Sequence, residues 1–312
     1  MFKNYIYLNL LSFVIMMIMV MVGVAYMTLL ERKLLGYIQY RKGPNKVGIF
    51  GIFQPFSDAM KLFMKEMIYL YKVNILMYYF APIVLLTMML ILWVVFPHYS
   101  GHINISYSLL YILSCLSLSS YAILMSGWSS NSNYSFLGSV RSVAQVISYE
   151  VSFFLFIFTL MLYIKGYSLC DLSKYQNIVG MFIFSHLYLF ILFFISVLAE
   201  LNRVPFDLIE GESELVSGFN TEYFGGSFAL IFLAEYGMIM FMSFLLISMF
   251  MGLNSWGVSF SLLFMFFNFF FIWIRGVLPR VRFDQLMMMC WKYFLPSSLV
   301  ILLMNYIIIL IF

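Results

Sequence analysis

The chain has 312 residues, of which 64% are hydrophobic and 10% charged, with a net charge of +4 and a mean hydropathy of +1.00. A soluble globular chain carries about 25% charged residues, so this composition excludes a water-soluble fold and makes the bilayer the solvent. No basic stretch is interleaved with aromatic residues, which excludes a nucleic-acid surface.

Each membrane span needs roughly 20 apolar residues. Eight such stretches are predicted, near 5–30, 75–96, 106–126, 144–164, 178–198, 224–252, 257–275 and 290–311. Their apolar runs are continuous and lack the alternation of a barrel strand, so they read as helices. The expectation is an all-α polytopic membrane protein, one domain over 1–312, with an interfacial amphipathic helix in its first inner loop. The sixth span is long enough to tilt, bend or break. No internal repeat is visible. Trp93, Trp128, Trp256, Trp273 and Trp291 fall near predicted span ends, where amphipathic rings favour the headgroup level.

The loops after spans one, three, five and seven hold thirteen of the 17 Lys and Arg residues, which places them inside and both termini outside. The first span begins almost at Met1 with no Arg-rich leader ahead of it. With 25 Met, 36 Phe, 23 Tyr and only eight Ala, the composition suggests an AT-rich organelle genome. The expected location is therefore the mitochondrial inner membrane.

The loop after span one opens with Glu31, Arg32 and Lys33 and continues into a basic turn, R-K-G-P-N-K, that breaks any helix. Gly43 to Gly48 is no phosphate loop, because Ile49 and Phe50 stand where Lys and Ser/Thr are needed. After Pro55, Phe56, Met60, Phe63, Met67 and Leu70 recur on one helical face, and Asp58, Lys61, Lys65 and Lys72 on another. Such a helix lies in the membrane interface as a doorway for a lipid-soluble molecule, or is an ordinary surface helix; the pattern fits both.

Elsewhere the polar signals are sparse. His98 and His102 have metal-ligand spacing, but Pro97 and Gly101 make their segment an interfacial loop. His186 stands alone in span five, where it reads as a proton relay or, the commoner case, as a hydrogen-bonded packing residue. Cys115, Cys170 and Cys290 are far apart, so no zinc or iron–sulfur site is expected, and no metal site of any kind.

The acids are the sharper signal. Glu200, Asp207, Glu210, Glu212, Glu214 and Glu222 share one short inner segment with a single base, Arg203. Crowded carboxylates resist full ionisation and can exchange protons near neutral pH. A solvated acidic loop docked on a basic partner fits equally well. Glu150 and Glu235 lie deeper, inside the apolar slab, where a carboxylate costs at least ~2.5 kcal/mol and marks an ion or proton path by default. Tyr149 and Tyr236 sit beside them and extend a hydrogen-bonded chain. Arg275, Arg280, Arg282 and Asp284 in the last inner loop, with Arg32 and Arg41, supply guanidinium groups that face these acids or merely anchor the topology.

Six segments together resemble one family: ERKLLGYIQYRKGPN from Glu31, QPFSDAMKLFMKE from Gln54, GWSSNSNY from Gly127, RSVAQVISYEV from Arg141, AELNRVPFDLIEGESELVSGFN from Ala199 and PRVRFDQLM from Pro279. The chain is identified by them as resembling the chain 1 family of NADH:ubiquinone oxidoreductase, with every inner loop matching in order and no departure at a charged motif position. The resemblance implies a core subunit of respiratory complex I, at the junction of membrane and peripheral arms. Its inner loops and neighbouring subunits would enclose a ubiquinone tunnel, with Arg32, Arg41, Arg282, Asp207, Glu210 and Glu212 as tunnel charges, beside Glu31 and Asp58 and the doorway face of Met60 and Phe63. Glu200, Glu150 and Glu235 would couple quinone chemistry to proton movement, with Glu214, Tyr149 and Tyr236 alongside. The resemblance also implies that NADH, FMN and iron–sulfur clusters belong to partner subunits, and that no cofactor is bound by this chain alone. A secondary transporter or a structural membrane anchor are the alternatives. The first would show paired broken helices, and the second leaves Glu150 and Glu235 unexplained.

Overall fold

A computed structural model describes residues 2–66, 70–97, 105–208, 218–253 and 257–311 of the protein. Among these the fold is all-α, in the order α1 (Phe2–Ile38), α2 (Gln54–Phe63), α3 (Ile75–Leu92), α4 (Ser108–Ser129), α5 (Asn133–Ile164) and α6 (Leu169–Val179). There follow α7 (Phe182–Ser185), α8 (Leu187–Glu200), α9 (Gly225–Phe250), α10 (Val258–Val277), α11 (Phe283–Met289) and α12 (Leu295–Ile311). Among the described residues seven helical stretches are long and apolar enough to cross a membrane, the last running from Phe283 to Ile311. The shorter α8 is the apolar remainder of the predicted fifth span.

That fifth span differs from its prediction. The expected helix over 178–198 is divided at Gly180, with φ at 115°, and again at His186. The His186 backbone leaves helical geometry (φ −128°, ψ 48°), donating to Phe182 O at 2.8 Å and accepting from Phe190 N at 3.0 Å. It therefore closes one helix and opens the next. The 14 residues of α8 rise only about 21 Å, short of a ~30 Å hydrocarbon core. The His186 ring packs on Tyr163 and Phe182 at 5.2 and 5.8 Å, the packing role expected of it. The sixth span is not broken: α9 is one helix of 26 residues.

The buried α9 runs through the bundle centre against α1, α2, α3 and α10, while α3–α4 and α4–α5 pack side by side. The α4–α5 seam is built from small residues. A Cβ at Gly127 would overlap the Ser139 side chain and the Ser135 carbonyl. Hydroxyls of Ser126, Ser130, Ser139 and Ser142 donate to carbonyls three residues back, so close approach leaves them satisfied. A π turn over Cys290–Phe294 precedes Pro296, whose missing N–H cannot close an ordinary helical bond.

The interfacial helix α2 has Pro55 in its first turn and exposes Phe56, Met60 and Phe63. It ends at Phe63, earlier than the pattern through Leu70 suggested, and Met67 lies outside the described residues. Trp128 and Trp273 are exposed near helix ends, and Trp291 is exposed in the π turn within the last stretch. Trp93 is not: it is buried, its ring 5.9 Å from Phe241 and 6.3 Å from Phe244. An aromatic at a span end satisfies core packing as readily as an interface. Trp256, His98 and His102 lie outside the described residues. On the other face Ser168 caps α6, and its hydroxyl holds the Asp171 carboxyl below the usual carboxylate range.

Candidate functional site

The site begins where α1 leaves the slab. Adjacent helical residues point about 100° apart, so Glu31 and Arg32 meet different neighbours. Arg32 reaches out to α2 and pairs with Asp58 at 2.5 Å, while Gln54 Nε2 steadies the other Asp58 oxygen at 3.0 Å. Glu31 turns inward, is buried, and pairs with Arg275 at the end of α10. Between α1, α2 and α9 lies a cavity of about 260 Å³. Its walls include Val24, Thr28, Phe63, Phe228 and Phe232, and its polar groups are Arg32, Asp58 and Tyr236. Phe63 thus lines the cavity. Met60, exposed on the same helix, does not line it.

Tyr236 connects this cavity to the interior. Its ring carries the Arg203 guanidinium 4.7 Å from its centroid. Arg203 also pairs with Glu235 at 3.2 Å. Both lie deep, Glu235 being about 15 Å into α9 from Gly225. Arg203, Glu31 and Arg275 border one small void, and Arg203, Glu235, Glu200 and Asn202 border another of about 70 Å³. That is room for a few water molecules by the measure that one needs ≳10–15 Å³. Glu200 Oε2 and Asn202 Oδ1 are buried with no hydrogen-bond partner among the described residues. Glu150 stands on α5, which packs against α8, and its Oε1 is likewise buried with no hydrogen-bond partner among the described residues. The groups therefore form one row: Asp58 and Arg32, Tyr236 and Glu31, Arg203 and Glu235, Glu200, Glu150.

A second cluster lies beside it. Asp207 is buried and pairs with Arg280 at 3.3 Å, and Val281 N donates to Pro205 O at 2.9 Å. Tyr149 is fully buried, donates to Leu286 O at 3.1 Å and packs on Phe206 at 6.3 Å. It braces the two inner segments and does not extend the carboxylate row, as had been expected. Arg41 and Arg282 are exposed and form no ion pair with a described residue. Glu210, Glu212 and Glu214 lie outside the described residues.

Two residues escaped the sequence reading. Arg203 was counted as the lone base of an acidic loop, yet its guanidinium reaches the slab; Pro205 two residues on was the visible sign that the chain turns back there. Asn202 has φ at 49°, a turn conformation Asn tolerates better than most residues, and no pattern signals it.

A sequence model of the family described as NADH dehydrogenase matches residues 11–306. Proteins named NADH-ubiquinone oxidoreductase chain 1 are similar over nearly their full length. The one from Anopheles gambiae is 50% identical over 290 residues, covering 93% of this chain and 92% of that protein. The one from Aedes aegypti is 50% identical over 292 residues, 94% of this chain and 93% of that protein. The one from Apis mellifera ligustica is 47% identical over 297 residues, 95% and 96% respectively.

Proposed function

The chain belongs to the NADH dehydrogenase family, and we propose that it is the membrane subunit of a proton-pumping NADH:ubiquinone oxidoreductase that admits ubiquinone from the bilayer and couples its reduction to intramembrane carboxylates. The observation that carries this reading is the continuous row from the apolar cavity at Phe63 and Tyr236, through Arg203 and Glu235, to Glu200 and Glu150. A structural anchor has no use for such a row, since each buried carboxylate opposes insertion.

The chemistry follows from charge. Reducing a quinone to a quinol takes up two electrons and two protons, so the cavity end gains and loses negative charge each cycle. A unit charge appearing about 4 Å from a partly buried group is worth on the order of 4 kcal/mol at an effective dielectric of 20. That exceeds the 1.4 kcal/mol that separates tenfold changes in proton occupancy. Arg203 lies over Tyr236 and pairs with Glu235, so it can pass such a perturbation inward by shifting between the two ends. NADH oxidation by FMN and iron–sulfur clusters is assigned to partner subunits of the peripheral arm. This chain contributes walls, charges and a docking face to that arm and to the rest of the membrane arm.

Phe63→Asp tests the doorway. It places a charge on the wall of an apolar cavity, so the assembled variant is expected to show a raised KM for long-chain ubiquinone, by about tenfold (~1.4 kcal/mol). Its NADH-to-ferricyanide rate should be unchanged. Met60→Asp, on the exposed face, should do less. Normal long-chain quinone kinetics in assembled Phe63→Asp would remove the doorway.

The location proposed is the mitochondrial inner membrane, with loops 31–72 and 199–222 on the matrix side and both termini opposite, on the asymmetry of Lys and Arg. Labelling of a cysteine introduced into the 199–222 loop, in oriented inner-membrane vesicles, should succeed only from the matrix side. Labelling from the other side would reverse the assignment.

A further inference from the structure

Gln145 lies one turn before Tyr149 on α5 and is wholly buried. Its Nε2 makes two hydrogen bonds, to Ala199 O at 2.8 Å and to Phe206 O at 3.0 Å. The orientation of the amide is forced, because a flipped group would set its oxygen against two carbonyl oxygens. Each acceptor immediately precedes an acid: Ala199 precedes Glu200 in the carboxylate row, and Phe206 precedes Asp207 in the cluster with Arg280. Ala199 lies in the last turn of α8, and its carbonyl accepts from Asn202 N at 3.2 Å as well as from Gln145. The segment between the two acceptors turns through Asn202 and Pro205 and carries Arg203. One side-chain amide therefore closes this loop at both ends onto the helix that carries Glu150 five residues further on.

Tyr149, on the same face of α5, fixes the opposite wall by donating to Leu286 O. A hydrophobic side chain of similar size would fill the space at Gln145 but would supply neither donor. The Gln145 Oε1 is buried without a hydrogen-bond partner among the described residues, so this amide is not there to satisfy itself. Both donor contacts serve the loop.

We propose that Gln145 is a positioning residue that locks the 199–207 loop to α5, so that Glu200, Arg203 and Asp207 keep a fixed register with Glu150 and respond together to quinone reduction. The inference rests on the carboxylate row as the coupling element. Its distinct content is that the two N–H donors of Gln145 transmit the coupling, although Gln145 touches neither quinone nor any transferred proton.

The test uses the intact complex in inner-membrane vesicles from a tractable homologue, with Gln145→Met, Gln145→Glu and Glu150→Gln made at the matching positions. Met keeps the volume without donors. Glu keeps the shape and puts oxygen where donors were. Quinone reductase turnover and protons pumped per NADH are measured per assembled complex, counted by its flavin. The expected result is a fall of threefold or more in both quantities for Gln145→Met and Gln145→Glu, with ferricyanide reduction per flavin unchanged. A residue that only holds the fold together would lower the amount of complex while leaving turnover and pumping per flavin intact, and that result overturns the proposal. So does failure of both variants to assemble, which would assign Gln145 to structure alone. If Glu150→Gln is impaired while both Gln145 variants are normal per flavin, this inference falls and the coupling row stands. If Glu150→Gln itself pumps normally, the row fails first.

Discussion

Replacing Glu150 by Gln is expected to lower quinone-linked turnover and proton pumping by about tenfold or more, equivalent to ~1.4 kcal/mol on the limiting barrier. Reduction of ferricyanide by NADH should stay at its wild-type rate. Glu150 has no ion-pair partner among the described residues and one unpartnered oxygen. Gln therefore preserves size and leaves no counter-charge stranded, so assembly should survive. What is removed is the capacity to gain and lose a proton beside Glu200. Native gels establish the amount of complex, and vesicle pH together with quinone reductase rate establishes its coupling. Normal pumping stoichiometry in an assembled Glu150→Gln complex would take Glu150 out of the row.

Glu235 behaves differently, because it is paired. Arg203→Met alone takes this guanidinium away from the Glu235 carboxylate, and Glu235→Gln alone takes the carboxylate away from Arg203. Breaking a buried pair from one side costs about 3–5 kcal/mol, enough to lose most of the assembled complex. The double variant Arg203→Met with Glu235→Gln removes both charges and should restore assembly, since neutral packing often replaces a buried pair without loss. Its quinone-linked pumping should remain defective, because the row is cut between Tyr236 and Glu200. Thermal stability and complex yield report the first effect, and pumping per flavin the second. A double variant that assembles and pumps normally would reduce the Arg203–Glu235 pair to a structural contact.

The contrast between these acids shows what the sequence discloses and what it withholds. The placement of Glu150 and Glu235 within long apolar helices was legible from depth along an apolar run, although both side chains are only half-buried, and the helical class was legible from continuity of those runs. The identity of Glu235's partner was not, because Arg203 reaches it only through a chain reversal at Asn202 to Pro205 that no periodicity encodes. Asp58 with Arg32 was within reach, since both stand in the first inner loop, whereas Glu31 with Arg275 joins residues 244 positions apart. The divided fifth span hid for a similar reason. Hydropathy counts apolar residues and is blind to the backbone dihedrals of His186, although Gly180 and His186 were the two residues that interrupt the run. Trp93 was placed at a headgroup level by its position at a span end, but the Phe241 and Phe244 rings that enclose it come from α9. A transporter is expected to show a second broken helix in a related half; among the described residues α9, the long sixth span, is continuous.

The central claim is that the cavity between α1, α2 and α9 is the passage of ubiquinone toward the carboxylate row. A density map of the intact complex with a long-chain ubiquinone bound tests it most directly. The account predicts density for the isoprenoid tail along Val24, Phe63, Phe228 and Phe232, passing the Arg32–Asp58 pair. A bound quinone whose tail enters elsewhere, with this cavity filled by side chains of a neighbouring subunit, would contradict it.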